Sequence, residues 1–215
     1  MIVLIGGEKG GTGKTTITVN LACQAARENA DLVVVDTDLQ RSASLFFIAR
    51  DESGIEPHIP CIEKRGKTLG KELRNLSGKY DLVLVDAGGR DSMELRYSLA
   101  VADEVYIPIQ PAQADLWTLE KMQNLVEEAQ AFNEDLAAFV LLNRCSNNPR
   151  NLDAQEAREF LNDYPAFSPL RTETKERVVY QRIFRSGQSV QEHAKDNSAI
   201  EEMQNLYKEI FYGQE

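Results

Sequence analysis

Cysteine, histidine and long apolar runs are all scarce in this chain of 215 residues. The three cysteines, Cys23, Cys61 and Cys145, are odd in number and widely spaced, which argues against a disulfide framework and against a cysteine metal cluster. The two histidines, His58 and His193, are isolated, so neither is assigned a catalytic role. No run of about 18 apolar residues occurs, and the short N-terminal apolar stretch has no basic flank, so the sequence predicts neither a membrane span nor a signal peptide. We therefore expect a cytoplasmic protein.

Positive charge is also in deficit. The chain carries 24 Lys and Arg against 34 Asp and Glu, a formal net charge of −10, which argues against a protein that coats nucleic acid over its whole surface. A chain of this length can bury a sizeable core. Because it shows no repeat, low-complexity segment or linker, we expect residues 1–215 to form a single domain.

Short apolar runs alternate with longer segments of helical periodicity. Several of the runs consist of consecutive Val, Leu and Ile, which is typical of parallel strands covered on both faces. The predicted strands are Ile2–Ile5, Leu32–Val35, His58–Ile62, Leu82–Val85, Glu104–Ile109 and Ala138–Leu142. The predicted helices are Lys14–Glu28, Arg41–Ala49, Thr68–Ser77, Ser92–Ala100, Leu116–Phe132, Asn151–Asp163 and Ser198–Phe211. This alternation predicts an α/β fold with a doubly wound, mostly parallel sheet flanked by helices.

A glycine-rich loop stands between the first strand and the first helix. Residues 8–16 read Glu-Lys-Gly-Gly-Thr-Gly-Lys-Thr-Thr, with Glu8 where the usual phosphate-loop pattern has glycine. The backbone N–H groups of such a loop bind phosphate oxygens, and the positive end of the following helix dipole points at the same place. In this pattern Lys14 reaches the β- and γ-phosphates and the Thr15 hydroxyl ligates Mg²⁺. The predicted phosphate-binding residues are Gly10, Gly11, Thr12, Gly13, Lys14, Thr15 and Thr16.

Aspartates follow two of the predicted buried strands. Asp86 ends the run 82–85, and Asp36 and Asp38 follow the run 32–35. Since ligands of open α/β sheets bind at the carboxyl ends of the strands, we expect these carboxylates beside the phosphate loop. We assign Asp86 to Mg²⁺, directly or through water, Asp36 to support of the same metal, and Asp38 to positioning of the attacking water. An exchange of the last two roles, and a turn-capping role for Asp86, stay open.

These motifs together resemble those of the ParA/MinD group of ATPases, whose Walker A loop deviates from the usual pattern. The matching segments are residues 9–16, 36–40, 105–111 and 143–144, with Asp86 in the place of the Walker B aspartate. ParA members often carry proline where Leu39 stands. The resemblance implies ATP and Mg²⁺ as cofactors, and it places Asn143 near the adenine.

The resemblance also implies a role for the second lysine of the loop, Lys9. ParA-like proteins form a homodimer with two ATP molecules at its interface, and this lysine reaches the phosphates of the partner subunit. A cation supplied in trans offsets the repulsion between two facing nucleotides, so dimerisation depends on ATP. We therefore expect Lys9 to act in hydrolysis with Lys14 and Asp38. Residues Gln113–Trp117 are expected near the dimer interface.

Within the group, the chain resembles the small ParA proteins that segregate plasmids. It begins at the first strand, so no N-terminal helix-turn-helix domain is expected. The resemblance implies a slow ATPase that binds DNA non-specifically as an ATP dimer and is therefore associated with the nucleoid. A small centromere-binding, ParB-like partner then stimulates hydrolysis. Plasmid partition is the leading functional hypothesis.

One segment is basic enough to bind DNA despite the acidic composition. Residues 171–185 contain five cations and two acids, a net charge of +3, which leaves −13 for the rest of the chain. Local basic patches bind phosphates even on an acidic protein. The alternative, a solvated helix face with internal salt bridges, stays open. The predicted DNA-binding residues are Arg171, Lys175, Arg177, Arg182 and Arg185.

Three other functions stay open. A ParA-like protein that positions another cargo, such as a protein microcompartment or a chemoreceptor cluster, would use the same chemistry. A MinD-like membrane-associated division regulator ends in a basic amphipathic helix, whereas residues 196–215 carry a net charge of −4, which anionic lipid repels, so no membrane partner is expected. A redox enzyme on the same scaffold needs cysteines at a dimer axis, and the small-molecule ligases usually lack a lysine at the position of Lys9.

Overall fold

Seven parallel strands form the central sheet of the computed structural model, which describes residues 1–89, 92–112, 117–193 and 197–213. The strands are β1 (Ile2–Ile5), β2 (Leu32–Asp36), β3 (Cys61–Glu63), β4 (Leu82–Asp86), β5 (Glu104–Ile109), β6 (Ala137–Leu142) and β7 (Ser168–Pro169). Their order across the sheet is β3-β2-β4-β1-β5-β6-β7, and every described pair is parallel. Every residue of β1, β2 and β4 is buried, as expected for central parallel strands. The predicted doubly wound α/β fold is confirmed.

Nine α-helices and one 3₁₀ segment occur in the described part of the chain. The helices are α1 (Lys14–Arg27), α2 (Ser42–Glu52), α3 (Leu69–Ser77), α4 (Met93–Leu99), α5 (Leu119–Gln130), α6 (Asp153–Leu161), α7 (Val179–Arg182), α8 (Val190–His193) and α9 (Asn197–Phe211), and the 3₁₀ segment is Ile183–Arg185. They cover both faces of the sheet. Helices α3 to α6 pack on one face, with Leu73 and Leu99 in the core there. Helices α1, α2 and α7 to α9 pack on the other, with Phe46 and Leu206 in the core.

The start of the third strand was predicted wrongly. The predicted strand His58–Ile62 begins too early, because β3 starts at Cys61. Pro60 has no N–H to donate to a strand ladder and contributes only its carbonyl, which accepts from Val34 N at 2.9 Å. Ile59 is apolar because it is buried in the core, and it lies outside the strand.

Helix ends also differ by up to three residues from the predictions. The predicted helix Leu116–Phe132 runs from Leu119 to Gln130, and Leu116 itself lies outside the described residues. The predicted helix Asn151–Asp163 is shorter at both ends and spans Asp153–Leu161. Strand β7 was missed because two residues, one of them proline, give no apolar pattern. Helices α7 and α8, each of four residues, are too short for helical periodicity.

The strand register brings the sequence motifs to one edge of the sheet. Asp86, the last residue of β4, lies opposite Ile5 at the end of β1 and opposite Asp36 at the end of β2. Because β1 is the neighbour of β4, the loop that follows β1 emerges beside Asp86, with Asp36 one strand further along the sheet. The fold therefore places the glycine-rich loop and the strand-end acids together, as expected for a doubly wound sheet.

A buried ion pair ties α2 to the C-terminal third of the chain. The fully buried Arg50 guanidinium pairs with both carboxylate oxygens of Glu192, with both N–O distances 2.8 Å. Burial opposes ionisation of Glu192, but hydrogen bonds from Arg50 and Ser189 lower the pKa of its carboxyl group. The guanidinium also donates to the Gly187 carbonyl at 3.1 Å. Helix α2, which borders the site described below, is thereby held in place.

We predict that Gly187→Ala lowers the free energy of unfolding by about 3 kcal/mol or more, because a clash adds to backbone strain. Gly187 has a left-handed φ of +66°, and a Cβ there would lie 2.2 Å from Arg50 N. The matched control is Gly54→Ala, at a φ of +63° with no atom within 4 Å of the added Cβ. Gly54→Ala should introduce only the backbone strain, which costs about 1 kcal/mol. Urea denaturation measures both variants, and equal losses would contradict the role of the close contact with Arg50.

Candidate nucleotide-binding site

The loop between β1 and α1 has the geometry of an anion cradle. Gly11 and Gly13 have left-handed φ angles of +79° and +94°, which glycine adopts without strain. The N–H groups of the first turn of α1 have no intrahelical partner, as in any α-helix, and the N-cap residue supplies no side-chain cap. A Cβ at Gly10 or Gly11 would meet no atom within 4 Å, so the loop borders open space. The loop therefore fits a nucleotide phosphate.

Side chains from outside the loop hold two of its carbonyl groups. Asn143 Nδ2 donates to Thr12 O at 2.5 Å, and Arg144 Nη1 donates to Gly11 O at 3.0 Å. Because a peptide group is planar, the N–H that follows each held carbonyl points away from that side chain. These are the N–H groups of Thr12 and Gly13, and neither is hydrogen-bonded elsewhere in the described part of the chain. Both are left available to an anion.

Lys14 is buried within the loop that it belongs to. Its side chain is turned back so that Nζ donates to Lys9 O at 2.8 Å, and only 6% of the residue is exposed. Burial lowers the pKa of the ammonium group, and the nearby charges of Asp86 and Asp38 partly offset this. A buried ammonium with one carbonyl partner gains further stabilisation from phosphate oxygens, so the placement of Lys14 fits its predicted role.

Thr15 and Asp86 form the oxygen-rich side of the site. Thr15 Oγ1 donates to Asp86 Oδ2 at 2.7 Å, and Thr18 Oγ1 donates to Asp86 Oδ1 at 3.2 Å. Asp86 is fully buried, and burial together with the charge of Asp36 raises the pKa of its carboxyl group to about 7, although Thr15 and Lys14 oppose the shift. A hydroxyl and a carboxylate are the ligands that Mg²⁺ prefers. A cation at this place would offset the desolvation cost of the buried Asp86 carboxylate.

The structure separates the two aspartates that follow β2. Asp36 is fully buried, and its Oδ2 accepts from both N and Oγ of Ser44, each at 2.9 Å, while Oδ1 accepts from Asp38 N at 3.0 Å. Asp36 therefore holds the loop and the first turn of α2. Asp38 is half-buried and borders the cavity, with Oδ1 bonded to Gln40 N at 3.0 Å. This arrangement suits Asp38 for the water-positioning role, and both roles stay predictions.

Asn143 supports the loop as well as bordering the cavity. Its Oδ1 accepts from the Thr174 hydroxyl and from Arg144 N, while its Nδ2 holds Thr12 O. A Cβ at Gly13 would lie 2.2 Å from Asn143 Nδ2, which explains why glycine occupies that position. The predicted contact between Asn143 and adenine stays a prediction.

Sequence reasoning assigned no role to three residues on this side of the site. Arg144 has a left-handed φ of +58° and bridges Gly11 O to Glu176, with a distance of 2.6 Å to the carboxylate. Thr174 bonds to Asn143. Thr174 and Glu176 lie in a segment without regular periodicity, so no signal in the sequence indicated them. Arg144 follows Asn143 directly, and that position is the one signal in the sequence that could have indicated it.

A cavity of about 1000 Å³ connects these parts. It extends from the glycine-rich loop to Asp38 on one side, and to Arg144, Arg177 and Tyr180 on the other. This volume is at the upper end of the range for small-molecule and cofactor sites, which suits a nucleotide triphosphate.

The five predicted DNA-binding residues do not form one free surface. Lys175 pairs with Glu173 at 2.5 Å, and Arg177 pairs with Glu202 at 2.5 Å. Arg182 and Arg185 are exposed, and neither forms an ion pair within the described residues. Arg171 is also exposed. The segment therefore matches in part the alternative of internal salt bridges, and its binding to DNA stays a prediction.

Other predicted features lie around the loop. Lys9 is half-buried at the loop start. Of the segment predicted near the dimer interface, Gln113–Leu116 lies outside the described residues, and Trp117 is 67% exposed. Within the described ranges, no group of His, Cys, Asp and Glu side chains could hold a metal ion by itself, and no helix is long and apolar enough to cross a bilayer.

Comparison with known proteins agrees with this geometry. The chain is 33% identical over 171 residues to the maintenance of carboxysome distribution protein A of Gloeobacter kilaueensis, covering 77% of this chain and 74% of that one. It is 26% identical to the protein of the same name from Halothiobacillus neapolitanus, covering 94% and 92%. The fold matches a plasmid partition protein of Borrelia burgdorferi bound to AMPPNP, with a TM-score of 0.76, 21% identity and 98% of each chain covered. Residues 3–181 match the model of the CobQ/CobB/MinD/ParA nucleotide binding domain, and the chain belongs to this family of P-loop NTPases.

Proposed function

We propose that this chain is an ATPase that distributes a carboxysome-like protein microcompartment, by binding DNA non-specifically as an ATP-dependent dimer. The observation that carries the proposal is the 33% identity to a protein named for the maintenance of carboxysome distribution. The second relative of that name supports it over nearly the whole chain. The phosphate loop, the buried Asp86 and the adjoining cavity support the ATPase chemistry.

Plasmid partition, the leading hypothesis from the sequence alone, has less support. A relative named ParA is 24% identical over 147 residues, which is lower than the values for the carboxysome distribution proteins. The likeness to plasmid partition structures shows the fold and not the cargo. A cargo other than a plasmid, which the sequence left open, is therefore the better-supported function. The revision concerns cargo and partner, because the chemistry of the site is the same for both.

The site would bind ATP mainly through groups that are already in place. The free N–H groups of the loop and of the first turn of α1 would donate to phosphate oxygens. Lys14 would exchange the Lys9 carbonyl for the β- and γ-phosphates. Thr15 and Asp86 would hold Mg²⁺, which supplies neutralisation of the phosphate charge.

Asp38 is the residue that we assign to the attacking water. One of its oxygens is bonded to Gln40 N, which fixes the carboxylate, and the other can accept a hydrogen bond from water at the cavity edge. Phosphoryl transfer to water depends mostly on positioning and charge neutralisation, so a fixed acceptor suffices. Asp36 supports this arrangement by holding Asp38 N.

Dimerisation would link nucleotide state to DNA and to cargo. Lys9, which is half-buried at the loop start, would contact the nucleotide of the second copy. A small partner protein on the cargo would stimulate hydrolysis and release the chain from DNA. Repeated release and rebinding would spread the cargo over the nucleoid.

Lys14→Ala and Asp38→Ala should separate binding from hydrolysis. We expect Lys14→Ala to weaken ATP binding at least tenfold, since about 1.4 kcal/mol corresponds to that factor and a charged hydrogen bond contributes more. Asp38→Ala should bind ATP normally and lower kcat by about 10²-fold, because the water loses its orientation. Fluorescent-nucleotide titration and phosphate release measure the two effects. The control is Asp31→Ala, on an exposed residue before β2. Normal turnover by Asp38→Ala would rule out the assigned role.

Lys9→Ala should keep some nucleotide binding but lose hydrolysis and ATP-dependent dimerisation, because repulsion between facing nucleotides is no longer offset. Light scattering coupled to size exclusion, with a non-hydrolysable ATP analogue, measures the dimer fraction. Lys79→Ala, on an exposed lysine after α3, is the matched control for loss of one charge. An unchanged dimer fraction in Lys9→Ala would refute the role in trans.

The cargo assignment is tested in the source organism by deletion of the gene and imaging of a labelled microcompartment shell protein. We expect evenly spaced foci to collapse into clusters, and a copy carrying Lys14→Ala should fail to restore the spacing. Plasmid copy number and retention should be unaffected. Normal foci together with plasmid loss would instead support partition.

A further inference from the structure

A second basic region lies between β3 and β4, outside the segment predicted to bind DNA. Residues 64–79 contain six cations and a single acid, a net charge of +5, so the rest of the chain carries −15. By the same count residues 171–185 reach only +3. The densest positive charge of the chain therefore belongs to α3 and to the turn that leads into it.

Packing turns the cations of α3 outward. Leu69 and Leu73 are fully buried in the core beneath the helix. Lys71 and Arg74 are exposed and three residues apart, so they lie on one side of the helix. This side is opposite the buried leucines. Lys67 is exposed in the turn one helical repeat earlier, which extends the row to about 10 Å at 1.5 Å per residue. We call Lys67, Lys71 and Arg74 the α3 cation row.

The only acid of the region does not neutralise this row. Glu72 forms an ion pair with Lys64 Nζ at 2.9 Å and accepts a hydrogen bond from Thr68 Oγ1 at 2.8 Å. These hydrogen bonds lower the pKa of its carboxyl group, so Glu72 is charged and occupied by local partners. In the described part of the chain, no member of the α3 cation row forms a side-chain hydrogen bond or an ion pair. Lys175 and Arg177, by contrast, are paired with Glu173 and Glu202.

The surface lacks the features of a protein interface. None of the large hydrophobic residues exposed in the described part of the chain falls between residues 64 and 79. Protein partners usually dock on aromatic or aliphatic anchors, whereas contacts to the DNA backbone are made by lysine, arginine and other hydrogen-bond donors and need no apolar anchor. A row of free cations on a rigid helix with no apolar anchor matches a phosphate backbone better than an acidic protein.

We propose that the α3 cation row binds the sugar-phosphate backbone of double-stranded DNA, and that it is the main DNA-binding surface of this chain. The inference rests on the DNA-binding part of the proposed function. It would replace residues 171–185 as the principal surface, because Lys175 and Arg177 of that segment are paired with Glu173 and Glu202. Backbone contacts by Lys and Arg give affinity without sequence preference.

The test compares three double variants, each of which removes two exposed positive charges. Lys71→Ala with Arg74→Ala removes two of the three cations of the α3 cation row. Arg182→Ala with Arg185→Ala removes the rival surface. Arg150→Ala with Lys208→Ala, on exposed residues elsewhere, controls for net charge alone. Alanine is a strong helix former, so we expect α3 to stay folded, and far-ultraviolet circular dichroism checks this.

Fluorescence anisotropy with a random-sequence DNA duplex, in the presence of a non-hydrolysable ATP analogue, measures the affinity between about 50 and 200 mM salt. We expect the α3 variant to bind about tenfold or more weakly and to lose about two from the salt slope, since each phosphate contact contributes about one. The other two variants should bind as the wild type does. ATP-dependent dimerisation should be unchanged in all three.

Every other pattern overturns the inference. Loss of affinity only in Arg182→Ala with Arg185→Ala would assign DNA to the rival surface and leave the proposed function intact. Equal losses in all three would show a net-charge effect only. Binding of polyglutamate through the α3 cation row, with DNA binding unaffected, would indicate an acidic protein as the partner. Absence of DNA binding by the wild type would remove the DNA-binding step of the proposed function as well.

Discussion

The carbonyl groups of the glycine-rich loop must be held on one side for its N–H groups to serve an anion on the other. Asn143 and Arg144, which follow β6, bond to Thr12 O and Gly11 O and thereby set the direction of two peptide planes. The loop conformation also needs a left-handed Gly13, whose place against Asn143 Nδ2 leaves no room for a Cβ. The phosphate cradle is therefore a product of two distant chain segments, and a glycine pattern alone would not fix it.

Concentrated negative charge is the second constraint on this edge of the sheet. Asp36 and Asp86 end neighbouring strands in register, both fully buried, and the charge of Asp36 contributes to the raised pKa of Asp86. Hydrogen bonds from Ser44 to Asp36 and from Thr15 to Asp86 offset part of the cost of burying the two carboxylates. A cation next to Asp86 would best offset the remaining cost of burying these two negative charges. The buried acids therefore favour a bound cation beside Asp86, which is the place that the proposed function gives to Mg²⁺.

The fold and the phosphate loop could be read from the sequence because their signals are local. Consecutive buried residues such as those before Asp86 indicate central parallel strands, and a lysine after Gly13 indicates a phosphate loop. The partners of Asn143 could not be read, since Thr174 comes from an irregular segment that only the tertiary fold brings within hydrogen-bond distance. The start of β3 could not be read either, because the buried, apolar Ile59 continues the apolar pattern of the strand although it precedes β3.

Charge counts along the sequence do not show which cations are free, for a related physical reason. A window of cations says nothing about which carboxylates approach it in the fold, and α9 supplies two of them. Glu202 binds the Arg177 guanidinium, which uses the charge of that side chain, and Glu209 accepts from the backbone Arg171 N, so both acids hold the segment against the C-terminal helix. In the described part of the chain, the cations of the α3 cation row have no such carboxylate partner, because Glu72 pairs with Lys64. Which cations stay unpaired and can attract a polyanion therefore depends on the carboxylates that pack against them. It does not follow from the density of lysine and arginine in the sequence.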